Sequence, residues 1–237
     1  MNETNRWAEQ LPEVEQAPRP AKRAPEVTRE DIMQVAFEEF SRYGLAGARI
    51  DRIADQTRTS KRMIYYYFGS KEGLYREVLL AAYRRIRETE VDLDLHKYEP
   101  VAGLQVLIRS TVAHYEGNIR FVRLVLLENS YELGAVHLMS DEVRLMNQSA
   151  LEVLDDLLVR GRAAGVFREG PQSLDLHQLI TAMAFFRVSD RFSWHELYGR
   201  DMLGKDDSPQ VRALIEDAVM RYIMVDPEGT TWPLGRP

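Results

Sequence analysis

The chain of 237 residues contains no cysteine. That excludes disulfides, thiolate zinc sites and a cysteine nucleophile, and it fits a reducing compartment. No apolar run reaches the ~18 residues that a membrane-spanning helix needs. The opening Met1-Asn-Glu-Thr-Asn-Arg-Trp7 lacks the apolar core of a signal peptide. The expected address is therefore cytoplasmic. Catalytic patterns are equally scarce. No Gly-x-Gly-x-x-Gly or phosphate-loop segment occurs, and Ser130, Ser140 and Ser149 lack a Gly-x-Ser-x-Gly setting. His96, His114, His137, His177 and His195 include no pair at the i, i+4 spacing of a helical metal site. Asp155 and Asp156 are neighbours in a helical stretch, where adjacent side chains point apart, so they form no dyad. Strand-like alternation of useful length and internal repeats are missing too. These absences predict a protein that is not an enzyme, with no metal and no cofactor.

What is present is helical periodicity and one basic island. A hydrophobic share of 45% and a charged share of 29% are those of a globular chain. Its length suits one large domain or two small ones. Net charge is -6, yet residues 49–71 carry Arg49, Arg52, Arg58, Lys61, Arg62 and Lys71 against Asp51 and Asp55. A basic island in an acidic protein is an electrostatic footprint for phosphate. A charge run is by default a solvated face, but here Tyr65, Tyr66 and Tyr67 stand beside it. Tyrosine can donate to a phosphate oxygen or lie against a thymine methyl.

The same stretch reads as two short helices and the start of a third. Ile50, Ile53 and Ala54 give the first an apolar face. Ser60 is a good N-cap for the second, which opens on Lys61 and Arg62 and closes on Tyr65 to Phe68 before Gly69. Ser70 caps the third, with Glu72 near its positive end. Ile64 and Phe68 look inward. Two helices joined by a turn of about three residues are a helix-turn-helix, whose second helix enters the major groove. An earlier helix, Thr28 to Tyr43, has Thr28 as its cap, Ile32, Val35, Ala36, Phe37 and Phe40 as its buried face, and Gly44 as its end. It holds the other two at a fixed angle.

The fold class expected is all-α: an N-terminal three-helix DNA-binding unit (28–75) and a larger helical domain (76–225). A disordered arm (1–27) precedes them and a flexible tail (226–237) follows. Pro12, Pro18, Pro20 and Pro25 bar a helix through the arm. Lys22 and Arg23 could touch DNA, but Glu3, Glu9, Glu13 and Glu15 dilute their charge. The helix from Ser70 to about Asp92 is the only covalent link between the two units. Beyond Pro100 the pattern gives helices around Leu104–Thr111, Ile119–Leu127, Val143–Leu158, Leu176–Phe186 and Val211–Tyr222, with a long polar connection from Ser189 to Pro209. The Ile119–Leu127 helix is apolar nearly all round, which predicts burial on several sides.

Residues Thr28 to Tyr75 resemble the DNA-binding domain of TetR-family transcriptional regulators. The resemblance rests on Thr28-Arg29, Ala36, Phe40, Gly44, Ile53-Ala54, Ser60, Ile64-Tyr65, Phe68, Lys71 and Leu74. It departs from the family at Arg58, where the turn usually has Gly, at Ala48-Arg49, where a Thr usually precedes the helix, and at Tyr67, usually His. Arg120 to Asn129, Arg160 to Arg168 and Asp175 to Ser189 resemble, more softly, the effector domain of regulators related to the pyrimidine-utilisation repressor. The resemblance implies a homodimer, formed by the last two long helices, that binds double-stranded DNA at a palindromic operator. It also implies release by a small-molecule effector. Lys61, Arg62, Tyr65, Tyr66 and Tyr67 would sit at the groove. Thr28, Ser60 and Lys71 would sit at phosphates, within the basic island that includes Arg49 and Arg52. A ligand pocket is implied with Arg123, Asn147, His177 and Gln178 as polar groups and Tyr115, Phe121, Phe185, Phe186 and Trp194 as walls. The alternative is a DNA-bound structural or division-linked protein on the same scaffold without an effector.

Overall fold

A computed structural model describes residues 25–91, 93–130 and 140–225. The expectations for the arm before residue 25 and for the tail from 226 lie outside these. Helix α1 (Pro25–Gly47) buries Ile32, Ala36 and Phe40 completely, at the i, i+4, i+8 spacing of one helical face. It begins one turn ahead of Thr28, so Thr28 lies within its first turns; that side chain is outside the described residues. Gly44 interrupts it at φ 66°, ψ -179°, a backbone state open to glycine. Short helices α2 (Ile50–Thr57) and α3 (Lys61–Phe68) follow. Then comes α4 (Lys71–Val91), capped by Ser70, whose Oγ accepts from the Gly73 amide at 3.0 Å.

The larger part comprises α5 (Pro100–Gly117), α6 (Ile119–Ser130), α7 (Ser140–Ala163), α8 (Ser173–Ser189), α9 (Arg191–Tyr198) and α10 (Ser208–Ile223). A 3₁₀ turn at Leu95–Lys97 leads into α5. No strand occurs among the described residues beyond an isolated antiparallel bridge, Phe167 to Met224. That bridge ties the end of α7 to the end of α10, and Gly161 leaves the space that the Phe167 ring fills.

Helix α9 corrects the expected polar connection. None of its residues is buried, so no apolar stripe marked it; its Gly199 C-cap is left-handed at φ 66°. The loop beyond it is fastened by Arg187, itself 1% exposed. Arg187 pairs with Glu116 and donates to the Met202 carbonyl at 2.9 Å and to Ser208 Oγ at 2.6 Å.

Two hydrophobic cores form. The first gathers α1, α2, α3 and the near half of α4 around Phe40, Ile53, Ile64 and Leu74, with the Phe40 and Tyr75 rings edge to face at 4.9 Å. The second gathers α5, α7, α8 and α10 around Leu104, Ile108, Leu154 and Val219. Helix α6 serves both. Leu124 is fully buried in the first core, while Phe121 and Val122 belong to the second. The expected burial of α6 on several sides is met by a broad face shared between the two cores, while Arg123 and Leu126 stay exposed.

Candidate nucleic-acid interface and effector core

Helix α3 sorts its residues by period. Ile64 (0% exposed) and Phe68 (8%) face the core, as expected. Lys61, Arg62, Tyr65 and Tyr66 fall at i, i+1, i+4 and i+5, and all four are exposed, Tyr66 at 78% and Tyr65 at 45%. Tyr67 is half-buried, edge to face with Phe68 at 6.2 Å, because i+3 from Ile64 turns it inward. It is withdrawn from the outer face that the sequence reading gave it. Ser60 caps α3 in extended conformation, its Oγ accepting from the Met63 amide at 3.2 Å.

The turn before α3 has no glycine. Arg58 adopts the left-handed state, φ 54°, ψ 33°, at a cost of about 1 kcal/mol or somewhat more. Its amide and that of Thr59 close back on Asp55 and Ala54 carbonyls, at 3.4 and 3.1 Å, which ends α2. Lys61 pairs with Asp51 on α2. That pairing holds the Asp51 carboxyl below its ordinary range and raises the Lys61 ammonium. Lys71 Nζ donates to the Ala46 carbonyl at 3.3 Å, which places its ammonium beside the start of α2.

Arg49 and Arg52 part company. Arg49 extends its guanidinium outward, 66% exposed and 3.7 Å from Asp51. Arg52 folds back over α1, its side chain 38% exposed. Its Nε donates to Glu39 Oε1 at 2.8 Å, its Nη2 donates to the Gly47 carbonyl at 3.1 Å, and its guanidinium lies 4.2 Å over the Tyr43 ring. The sequence reading counted Arg52 among DNA-contacting bases and missed Glu39. A carboxylate on the face next to Phe40 was the available signal.

The residues named as a ligand pocket separate into two groups. Tyr115, Phe121 and Phe185 do come together: Tyr115 lies 6.2 Å from Phe121 and 5.9 Å from Phe185, and Tyr83 meets Phe121 at 5.5 Å. His177 is half-buried, and burial followed by the nearby Arg87 charge pushes it down to about 4, so it is neutral near pH 7. Asn147 is half-buried on α7. Arg123, Gln178 and Phe186 are exposed instead, and Trp194 packs on Phe186 and Tyr198 away from that centre. The cause is helical phase. Phe185 and Phe186 are adjacent, so one ring in means the other out.

Sequence reasoning missed the polar groups beside this centre. Glu128, 4% exposed, accepts from the Tyr75 hydroxyl at 2.7 Å. Burial first, then that bond, pushes the Tyr75 phenol well up, so it stays a donor. Tyr83 is raised by burial and by Glu128. The signal was there: Phe121, Leu124 and Glu128 share one stripe at i, i+3, i+7. A cavity of about 600 Å³ opens at the seam between the cores, among Met33, Phe37, Ala81, Arg85, His114 and Asn118. Of the expected wall residues only Phe121 lines it.

A capped outer helix carrying Lys, Arg and two exposed Tyr, set on a three-helix core and joined to a second helical core, defines an all-α DNA-binding regulator. Residues 32–78 match the family described as bacterial regulatory proteins, tetR family, and residues 100–219 match the tetracyclin repressor-like C-terminal domain. The chain belongs to the TetR family of transcriptional regulators. It is 29% identical over 194 residues to the HTH-type transcriptional repressor NicS of Pseudomonas putida, covering 82% of this chain and 91% of NicS. To the HTH-type transcriptional regulator RutR of Escherichia coli K12 it is 33% identical over 94 residues, covering 37% of this chain and 41% of RutR. The crystal structure of the transcriptional regulator SCO4942 from Streptomyces coelicolor superposes with a TM-score of 0.62 at 26% identity, covering 83% of this chain and 98% of that one. No described helix is long and apolar enough to cross a membrane.

Proposed function

We propose that the chain is a homodimeric repressor that reads a palindromic operator and is released by a small-molecule effector bound in the helical domain (76–225). The carrying observation is the exposed face of α3. Lys61, Arg62, Tyr65 and Tyr66 stand together on it, beside the outward Arg49, on a rigid buried core. In this reading Arg62, Tyr65 and Tyr66 meet base edges, and Arg49, Ser60, Lys61 and Lys71 meet phosphates. Thr28 keeps its assignment to phosphate from the family resemblance. Arg52, through Glu39, and the half-buried Tyr67 support the DNA-binding unit (28–75). The sign of regulation follows the name of NicS, a repressor matched over most of its length. For the dimer, α8 and α10 leave Leu174, Phe186 and Leu214 exposed, and α9 between them leaves Phe192, Leu197 and Tyr198 exposed. These exposed side chains on three neighbouring helices are what supports the dimer reading. For the effector, the Tyr115–Phe121–Phe185 cluster offers apolar walls, and His177 with Asn147 offers polar groups.

The test begins with genomic DNA captured by the protein, since genes beside the bound site supply candidate effectors. Operator affinity is then titrated across salt, with and without each candidate. Each neutralised phosphate steepens the slope of log affinity against log salt by about 0.9, so two heads predict a slope of several units. The effector should weaken operator binding, and operator should weaken effector binding by the same factor. A slope near zero refutes DNA binding through this face. Equal effector affinities with and without operator refute release by that ligand.

A further inference from the structure

Helix α2 stands at the base of the reading head, and its own first residue does not cap it. Arg49 occupies the N-cap position in extended conformation, φ -125°, ψ 121°, with no side-chain cap bond. An uncapped N-terminus leaves backbone donors without partners. The missing acceptor comes from another helix. Glu39 of α1, only 5% exposed, accepts from the Arg49 amide at 2.8 Å through Oε1. The same oxygen takes Arg52 Nε at 2.8 Å and lies 2.7 Å from Arg52 Nη2. Arg52 then reaches the Gly47 carbonyl and covers the Tyr43 ring, so the turn between α1 and α2 is closed on both sides.

We propose that Glu39 is a positioning residue for operator recognition: it caps α2 from α1 and thereby fixes where Arg49 and the α2–α3 pair stand on the DNA. The inference rests on the DNA-reading role assigned above to α3. A carboxylate at a helix N-terminus is favoured by charge as well as by hydrogen bonding. Because the cap arrives from α1, it sets the seat of α2 on α1 as well as ending α2. Arg52, its side chain still 38% exposed, is the counterion that lets the Glu39 carboxylate be buried. The arrangement also aims Arg49. Its amide is held inward by Glu39 while its guanidinium stays 66% exposed.

The full-length chain is tested on a duplex selected from a random pool by the parent protein, and on an unselected duplex. Thermal midpoint and amide hydrogen exchange at Arg49 are read alongside. Glu39→Gln keeps an oxygen acceptor and should hold selected-duplex affinity within about threefold. Glu39→Leu with Arg52→Leu removes both charges together, which costs a fold little when volumes match. That double variant should regain most of the midpoint lost by Glu39→Leu alone. It should still lose Arg49 amide protection and bind the selected duplex at least about tenfold more weakly, with a smaller loss on unselected duplex. Parent-like selectivity in the double variant would overturn the proposal, because Glu39 would then serve only as a counterion. Losses that merely follow the thermal midpoint across all variants would overturn it too. Should the double variant fail to fold, Glu39→Gln decides alone. Preserved Arg49 protection with preserved selectivity supports the cap, and lost protection with preserved selectivity refutes it. Failure of the α3 reading is separable: the parent itself would then show no preference for the selected duplex and no steep salt slope.

Discussion

Tyr75→Phe removes one atom, and its consequence can be worked out. Tyr75 is 1% exposed on the first turns of α4, and Glu128 is 4% exposed on α6. Their bond is 2.7 Å long and ties α4 to α6. Phenylalanine keeps the ring and its edge-to-face contact with Phe40 at 4.9 Å, so packing is nearly unchanged. What is lost is one donor to a buried carboxylate. A hydrogen bond to a charged group contributes about 1.5–3 kcal/mol net. With a urea dependence of about 2 kcal/mol per molar, the unfolding midpoint should fall by roughly 1 M. Protomer concentration must be held fixed, because a dimer's stability depends on it. Glu128→Gln keeps the acceptor but removes the charge, so it should cost less than Glu128→Leu. A double-mutant cycle of Tyr75→Phe and Glu128→Gln should then return a coupling of at least about 0.5 kcal/mol. A single-variant loss below about 0.5 kcal/mol, or a coupling of zero, refutes the bond as a tie between α4 and α6.

Two further outcomes follow from buried positions. His177 is held at about 4 against 6.5 when unfolded, so between those values the unfolded chain binds more protons and stability must fall as pH falls. The loss grows from about pH 6.5 and levels off below about 4, reaching at most about 3 kcal/mol. Unfolding curves at pH 7 and 4.5 should show it, and His177→Gln should shrink the difference; an unchanged difference refutes the assignment to His177. At Gly161 an added Cβ would lie 1.9 Å from the Phe167 ring. Gly161→Ala should therefore cost about 1–3 kcal/mol by overpacking, and Phe167→Leu should recover part of it in the same chain; a fully stable Gly161→Ala chain refutes the packing.

Much of the reading head was legible from residue spacing. Ile50, Ile53, Ile64 and Phe68 lie at helical intervals with a capping serine between them, and periodicity of that kind survives folding because burial enforces it. Ser60 caps α3 as its hydroxyl predicted, and Gly44 breaks α1 where glycine allowed it. What was not legible depends on pairs far apart in the chain. Glu39 drew no reading and Arg52 read singly as one base of the DNA-facing island; only their meeting across two helices makes one a cap and the other its counterion. Arg187 and Glu116 are the same kind of case, 71 positions apart in the second domain. Helix α9 escaped because it buries nothing, and burial is what writes a stripe into sequence. Phe186 fell outside the aromatic cluster by phase, since naming both Phe185 and Phe186 asked two adjacent side chains to share one side of a helix.

The connection between the two cores bears on how release would work. As sequence, α4 looks like the sole lever, since it alone joins the units covalently. In the folded chain α6 is fastened to the DNA-binding unit as well. Leu124 is completely buried among α1–α4 side chains, Tyr75 holds Glu128, and Arg120 pairs with Glu38 at 3.2 Å. Withdrawing Leu124 alone costs about 1.5–3 kcal/mol, and the Tyr75 bond adds a comparable amount. Typical coupling between effector and operator is only about 1–3 kcal/mol. Breaking these contacts would consume a coupling of that size, so motion of α4 without α6 is disfavoured. The economical motion carries α1, α2, α3, the near half of α4 and α6 as one body. Its bending then falls at the α5–α6 corner around Asn118 and in the far half of α4, beyond Leu80. The cavity of about 600 Å³ lies along that seam, lined by Ala81, Ala82, His114 and Asn118, and it leaves the room such a motion needs. The spacing of two recognition helices, about 34–36 Å for successive major grooves, would then be set by how α6 seats on α5 and α8.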